Sequence, residues 1–554
     1  MLRPAHLLRS EKIAAHITEN PVALTIVLCA AWLLLGLIGH DPWKSDEAYT
    51  FGVVYQLLKD GDWVVPMLAG EPFLDKPPLI YLTAALTSSL FSWFLPLHDA
   101  ARLAAGFYVG LTFLFVALSA KELYGSNKSW AAALMLLGCG GLVIRGHQLI
   151  ADTALLAGLA IGLYGLALCL RKALAGGVCL GMGLGISFLA VGLVEPVMLL
   201  VTILLLPLFS SHWRTRRYLL ALAVASVVAV PWVVVWPYLL EARSPQLFAE
   251  WYWVENIQRL KGIFEFTPNE DYFYYLNVLP WFAWPAWPFA IWGLWAERRD
   301  GLTKPGIILP ATAFVSFFLF LSIIGEGRDL YGMPLLLPIS LLAVVSFETL
   351  QRGAAHLYYW FAIMLFTFFA MVGWFYWMAI DFGVPDRLWK HMMDMQPGYS
   401  SAGRVFPIMV ALVFTIAWLV LLFNVKRRPE RPVITWAMGI TMIWALMATL
   451  MIRYIDTGRT YRAVFTQLAQ AVPEKHGCIY SRSLGEPQRA MLDYFADITT
   501  VRLEKPGKHP DCGLLIVQDR WKLPPTAVSA NWKLVWEGRR PGDKLERFRL
   551  FRHE

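Results

Sequence analysis

Runs of about twenty apolar residues, each closed by a short polar or basic stretch, recur along most of the chain. The first, residues 22–38, contains no charged side chain. Others lie near 101–120, 129–147, 153–170, 175–191, 194–210, 218–238, 276–296, 306–324, 331–349, 357–379, 404–424 and 432–453. About twenty residues of helix cross about 30 Å of hydrocarbon. The period-two alternation of a strand-built barrel is missing, so the runs are predicted to be helices, which satisfy their own backbone groups in lipid. Together they make about thirteen spans. Basic residues gather in loops 121–128, 171–172, 212–217, 298–304 and 426–431, which marks those loops as cytoplasmic. With the basic start of the chain (Arg3, Arg9, Lys12) also inside, the first span exits near His40 and the C-terminus lies outside. No cleavable leader is read, because no small-residue cleavage pattern follows the first run. One apolar stretch, 79–97, breaks this parity: if it crossed, every later basic loop would be inverted. It is therefore expected as a helix at the outer interface, started by the prolines of Asp75-Lys76-Pro77-Pro78.

The pattern changes near Asp456. Short alternating runs beginning at Cys478, Ile498, Cys512, Trp532 and Arg547 read as strands. Residues 461–471 and 486–495 read as helices, the second with Met491, Leu492 and Phe495 on one face. The expected organisation is a polytopic α-helical membrane domain over 1–455 with juxtamembrane helices outside. A small α/β domain follows over 456–554, on the same outer side.

Composition agrees: 57% of residues are hydrophobic, 14% aromatic and 16% charged, and the mean hydropathy is +0.52. The net charge of +8 does not imply nucleic acid, since the basic residues follow the positive-inside pattern. Cys29, Cys139, Cys169 and Cys179 fall in or near spans and read as packing residues. Cys478 and Cys512 each adjoin a tail strand. An oxidising periplasm would allow a disulfide between them; two independent buried thiols are the alternative. No Cys/His cluster has zinc-finger spacing.

Charged residues at the ends of spans need a reason, because their desolvation is expensive. Asp46 and Glu47 stand just past the first span, in Asp41-Pro-Trp-Lys-Ser-Asp46-Glu47-Ala-Tyr49. Neighbours on a helix point about 100° apart, so one acid can face a reacting centre while the other caps or pairs. Asp152 opens the run 153–170 on the same outer face, with an N-cap role as its plain alternative. Three acids at one interface can act as a general base or hold a divalent cation, Asp46 and Asp152 being its candidate ligands. Lys76, and Arg328 in Gly325-Glu-Gly-Arg328-Asp-Leu-Tyr331-Gly, supply cations suited to a lipid phosphate, with interfacial snorkelling as the alternative. Arg243, Arg259 and Lys261 in the long outer loop are weaker candidates. Tyr49, Tyr81 and Tyr331 are hydroxyl candidates on the donor side. No phosphate-binding glycine loop is present, which argues against a cytosolic nucleotide substrate.

The ordered set of Asp46-Glu47, Asp75-Lys76-Pro77-Pro78-Leu79 and Asp152 resembles the GT-C glycosyltransferases. The nearest branch is the bacterial aminoarabinose transferase and protein O-mannosyltransferase superfamily. Tyr272-Phe-Tyr-Tyr-Leu and Arg328-Asp-Leu-Tyr-Gly-Met-Pro-Leu-Leu-Leu-Pro add to the likeness, which spans residues 20 to about 350. The resemblance implies a GT-C fold in a bacterial inner membrane, with the N-terminus cytoplasmic. It also implies transfer, with inversion, of a sugar from polyprenyl (undecaprenyl) phosphate to a periplasmic acceptor such as lipid A, by a monomer. By motif position, Asp46 would be the catalytic acid/base and Glu47 its support. Asp152 would be a second carboxylate at the acceptor or metal site, and Lys76, Arg328 and Tyr331 would hold the donor phosphate. One departure stands out. Relatives often carry Phe-Leu-Thr-Lys-Gly where this chain has Phe188-Leu-Ala-Val191-Gly192, with Glu195 close by. A protein-mannosylating enzyme, a transporter or flippase for a lipid-linked sugar, and an assembly scaffold are the competing readings. A transporter would show inverted repeats and mid-membrane charges, whereas these charges sit at the outer ends of spans.

Overall fold

The computed structural model describes residues 20–264, 273–299, 301–324, 327–400, 403–424, 430–474, 477–505, 510–543 and 545–554. Arg3, Arg9, Lys12, Tyr272 and most of the basic loop 426–431 lie outside these. Eight described helices are long and apolar enough to cross a membrane: Leu97–Tyr124, Ala151–Leu168, Ala173–Val191, Arg216–Arg243, Pro305–Ile324, Asp329–Phe347, Arg352–Phe382 and Arg431–Ala471. Four shorter apolar helices accompany them, Pro21–Leu34, Leu79–Phe91, Val197–Phe209 and Val405–Val420. The chain is a multi-pass membrane protein. Ala151–Leu168, rich in alanine and glycine, sits at the centre with 89% of it buried, while Arg216–Arg243 is 17% buried and lines the outside. The helix that carries Asp152 is thus, together with Asp329–Phe347, the most enclosed of the eight.

Two of the expected spans are interrupted. The run 129–147 divides into Ser129–Gly138 and Gly140–Arg145, with Cys139 extended between them. Gly138, Gly140 and Gly141 weaken the helix there. The run 276–296 divides into Tyr274–Phe282 and Ala286–Ala296, because Pro285 lacks an amide donor and disfavours helix in the residue before it. The stretch 79–97 forms Leu79–Phe91, 13 residues; at that length it extends about 20 Å, less than the hydrocarbon thickness.

The tail folds as a sheet with two helices. Its strands are β3 (Ile479–Arg482), β4 (Val501–Arg502), β5 (Leu514–Arg520), β6 (Trp532–Gly538) and β7 (Glu546–His553). A separate two-stranded ribbon, β1 (Met67–Leu68) and β2 (Glu71–Pro72), lies between the helices Asp46–Asp60 and Leu79–Phe91. The five tail strands lie in the order β4-β3-β5-β7-β6. The β3–β4 and β3–β5 pairs are parallel, and the β5–β7 and β6–β7 pairs antiparallel. Ile479, Ile516, Phe548 and Leu550 fill the core beneath the sheet. Helices Arg462–Ala471 and Glu486–Ala496 cover that side, and Cys478 and Cys512 form a disulfide.

The tail is seated on the helix Asp46–Asp60. A Cβ on Gly52 would stand 2.4 Å from Ala490 Cβ, so the close approach of that helix to Glu486–Ala496 needs glycine. Charges ring this contact: Glu71 meets Arg489 at 3.0 Å and Lys505 at 3.1 Å, and Lys59 meets Asp497 at 2.7 Å. Lys44 pairs with Glu546, and Arg462 with Asp41. Burial alone would raise the Glu71 carboxyl, but Arg489 and then Lys505 hold it below the usual glutamate range.

Candidate active site

Asp46 and Glu47 occupy the first turn of Asp46–Asp60, where negative charge suits the helix dipole. Their side chains diverge. Asp46 turns toward Arg328, whose Nη2 lies 3.1 Å from Oδ1 and 3.2 Å from Oδ2. The Tyr49 hydroxyl donates to Oδ1 at 3.1 Å. Arg328 in turn reaches the Tyr331 hydroxyl at 3.2 Å. The Arg328 side chain is 48% exposed, so the pair stands at an open mouth.

Glu47 faces inward and is sealed. Arg102 Nε donates to its Oε1 at 2.6 Å, and the Trp43 amide donates to Oε2 at 3.1 Å. The Leu149 amide also donates to Oε1, at 3.3 Å. Arg102 reaches Asp99 at 2.7 Å and the carbonyls of Leu37 at 3.0 Å and His40 at 3.1 Å. Glu47 is thus the acid of the two that pairs: its oxygens accept from a buried guanidinium and two amides, which fix the loop before Asp46. Arg102 and Asp99 were missed by the sequence reading. The available signal was an i, i+3 charge pair inside an apolar helix.

A second group lies at the N-terminal end of the central helix. Asp152 sits in the first turn of Ala151–Leu168, with Ile150 at the cap, so the N-cap alternative is excluded. It lines a small cavity of about 10 Å3 together with Glu195, Arg259, Tyr275, Tyr331 and Pro334, close to the minimum space for one water. Asp46, Lys76 and Glu195 all lie within electrostatic reach of Asp152, which joins this group to the first. Lys76 is buried. Burial pulls its ammonium down, yet Asp75 and Glu195 outweigh that and leave its pKa raised, so it is charged at neutral pH.

Local sequence explains how these residues meet. Ala173–Val191 ends at Gly192, whose φ of +96° favours glycine. The carboxamide oxygen of Asn256 accepts from the next amide, Leu193 N, at 2.8 Å, and its nitrogen donates to Trp251 O at 2.9 Å. That junction docks the arm Glu250–Gln258 and Arg259–Phe264 against the turn that carries Glu195. Arg259 then reaches Glu195 at 3.2 Å. Arg259, a weak candidate by sequence, becomes a principal one. Arg328 is found on Asp46. Arg243 instead meets Asp62 at 3.5 Å, away from this group. Tyr81 is 1% exposed, its hydroxyl unpartnered among the described residues, within electrostatic reach of Asp75 and Tyr49.

The residues do not fit the divalent cation considered for Asp46 and Asp152. Both Asp46 oxygens face a guanidinium, and among the described residues no group of three or more His, Cys, Asp or Glu side chains is placed to hold a metal. What the site offers is three carboxylates, Asp46, Asp152 and Glu195, beside three cations, Lys76, Arg259 and Arg328, at the ends of apolar helices. Such a group can take a phosphate and move a proton in one place.

Comparison with known proteins bears on the fold. No family model matches the chain. The undecaprenyl phosphate-alpha-4-amino-4-deoxy-L-arabinose arabinosyl transferase of Serratia proteamaculans is 26% identical over 336 residues, 59% of this chain and 59% of that protein. The enzyme of the same name from Pectobacterium carotovorum is 28% identical over 331 residues, 57% of each. The matched segment thus spans less than two thirds of these curated relatives. The crystal structure of ArnT from Cupriavidus metallidurans bound to undecaprenyl phosphate covers 96% of this chain and 97% of its own, with a TM-score of 0.66 and 18% identity. The chain therefore has the fold of ArnT, the GT-C architecture, and shares sequence with the aminoarabinose transferases over more than half its length.

Proposed function

We propose that the chain is a glycosyltransferase of the bacterial inner membrane, acting on its periplasmic side. In this reading it moves a sugar from undecaprenyl phosphate to lipid A, with inversion at the sugar's C1, and works as a monomer. One observation carries the reading: a buried lysine and an arginine, Lys76 and Arg259, converge with Asp152 at the N-terminal end of the central helix, within electrostatic reach of Asp46. The Cys478–Cys512 disulfide suits an oxidising compartment and supports the outward placement of the tail. The curated relatives carry aminoarabinose in their names, which makes that pentose the first donor to test.

The chemistry follows from the charges. The acceptor oxygen bonds to C1 while the C1–O bond to the phosphate breaks, its electron pair leaving with undecaprenyl phosphate. Lys76 and Arg259, with the Tyr331 hydroxyl, stabilise the charge that grows on that phosphate. Asp46, held by Arg328 and Tyr49, takes the proton of a hydroxyl acceptor. With a phosphate acceptor, already anionic, Asp46 instead keeps Arg328 oriented toward it. Asp152 faces the sugar and acceptor side of the same space.

The purified protein in proteoliposomes with lipid A and undecaprenyl phosphate-aminoarabinose tests this. Mass spectrometry should show lipid A heavier by one aminoarabinose, with undecaprenyl phosphate released. Unmodified lipid A beside folded protein would overturn the assignment of donor and acceptor.

A further inference from the structure

Glu195 is the one acid of this cavity that the reaction just described leaves without a task. It stands in the turn between Ala173–Val191 and Val197–Phe209, and its side chain is 91% buried, the complement of the 9% exposure. Oε1 lies 3.2 Å from Arg259. Oε2 has no hydrogen-bond partner among the described residues. A buried carboxylate oxygen left unpaired is costly, about 1–3 kcal/mol and more when charged. The surroundings do not remove that cost by packing: Glu195 and Asp152 line the same cavity, and two carboxylates within electrostatic reach oppose each other. A metal does not account for it, since no cluster of three or more suitable side chains occurs among the described residues.

We propose that Glu195 is a specificity-determining residue that accepts hydrogen bonds from the sugar of the lipid-linked donor. The inference rests on the transferase reading above and names what that reading leaves open, the group that recognises the sugar. A carboxylate pairs with hydrogen-bond donors, so the ligand atoms are hydroxyl or ammonium groups. The carbonyls and phosphate oxygens of a lipid have no proton to give. Arg259 explains the timing. Before the donor arrives it neutralises Glu195. When the donor phosphate takes Arg259, both Glu195 oxygens are released toward the sugar on that same phosphate. Val191, at the end of the helix before this turn, is apolar and adds no cation to balance Glu195 and Asp152. The local balance is shifted toward acid, which favours a sugar rich in donors and above all one bearing an ammonium.

The test is a binding comparison with three lipids in nanodiscs: undecaprenyl phosphate, undecaprenyl phosphate-mannose and undecaprenyl phosphate-aminoarabinose. Wild type should bind a sugar-bearing lipid more tightly than undecaprenyl phosphate. Preference for the aminoarabinose lipid identifies the ammonium as the ligand; equal preference identifies the hydroxyls. In Glu195→Gln that preference should shrink about ten- to a hundredfold, while undecaprenyl phosphate binds as well as before or better, because it no longer competes with a carboxylate for Arg259. Glu195→Asp, which keeps the charge but shortens the reach, should fall between, and gives the same readout if the glutamine variant does not fold. A preference unchanged in either folded variant would overturn the proposal. So would an equal loss for all three lipids, the mark of a merely structural role. A wild-type protein that binds none of the three would instead overturn the transferase reading itself, and this inference with it.

Discussion

Asp46 and Glu47 share a peptide bond and sit in opposite surroundings. Around Asp46 the partners are an exposed arginine and a tyrosine hydroxyl, Arg328 and Tyr49, at an open mouth. Around Glu47 they are a guanidinium 1% exposed and two backbone amides, all of them enclosed. The difference is in what a second molecule could exchange. Arg328 can trade Asp46 for a phosphate with solvent close at hand, whereas freeing Glu47 would strand Arg102 in the core. Burial alone therefore does not mark a reacting acid. A carboxylate whose oxygens are held by fixed, buried donors is part of the frame, and one held by an exposed cation at a mouth is available for chemistry.

The largest effect expected from this contrast is on the frame. Arg102→Met leaves Glu47 and Asp99 buried without their cation and should cost roughly 3–5 kcal/mol, enough to lower the yield of folded protein sharply. Adding Glu47→Gln to that variant should restore part of the loss, measured as the thermal midpoint in detergent. If Arg102→Met melts like wild type, the frame reading fails.

A smaller effect belongs to the seat of the tail. The Glu71 carboxyl has its pKa depressed in the folded protein by Arg489 and Lys505. Its contribution is therefore fully present above the ordinary glutamate value of about 4.3 and is lost as pH falls through the lower folded value. Limited proteolysis should release the tail more readily at pH 3 than at pH 7, and Glu71→Gln should flatten that dependence. An unchanged pH profile in Glu71→Gln would remove this ion pair from the account.

Much of the frame was legible in sequence because lipid imposes simple rules. Run length gave helices, and alternation gave all five tail strands and both tail helices at nearly their observed places. The breaks at Cys139 and Pro285 were less visible, since an apolar run hides a kink from a hydropathy reading. Asp46, Lys76, Asp152 and Tyr331 stood out as polar residues at the ends of apolar runs, and the fold brings them to one neighbourhood. Arg259 and Arg102 were harder. The first is one of several cations in a long loop, and its place depends on Gly192 and Asn256, which lie 64 residues apart by the numbering. The second is buried, and nothing local distinguishes a satisfied arginine from a snorkelling one. The division of labour between Asp46 and Glu47 was open in sequence, because a helical 100° offset says that two neighbours diverge and not which one turns inward.

That division is also where the account is most exposed. The direct measurement is the rate of sugar transfer to lipid A, per folded protein, for Asp46→Asn beside Glu47→Gln. The account expects Asp46→Asn to lose about 10²- to 10⁴-fold in rate at an unchanged melting temperature. It expects Glu47→Gln to lose stability while its surviving folded fraction stays within about tenfold of wild type, as fits a group spent on the frame. An Asp46→Asn protein that transfers at the wild-type rate would contradict the central claim that this carboxylate is the reacting one.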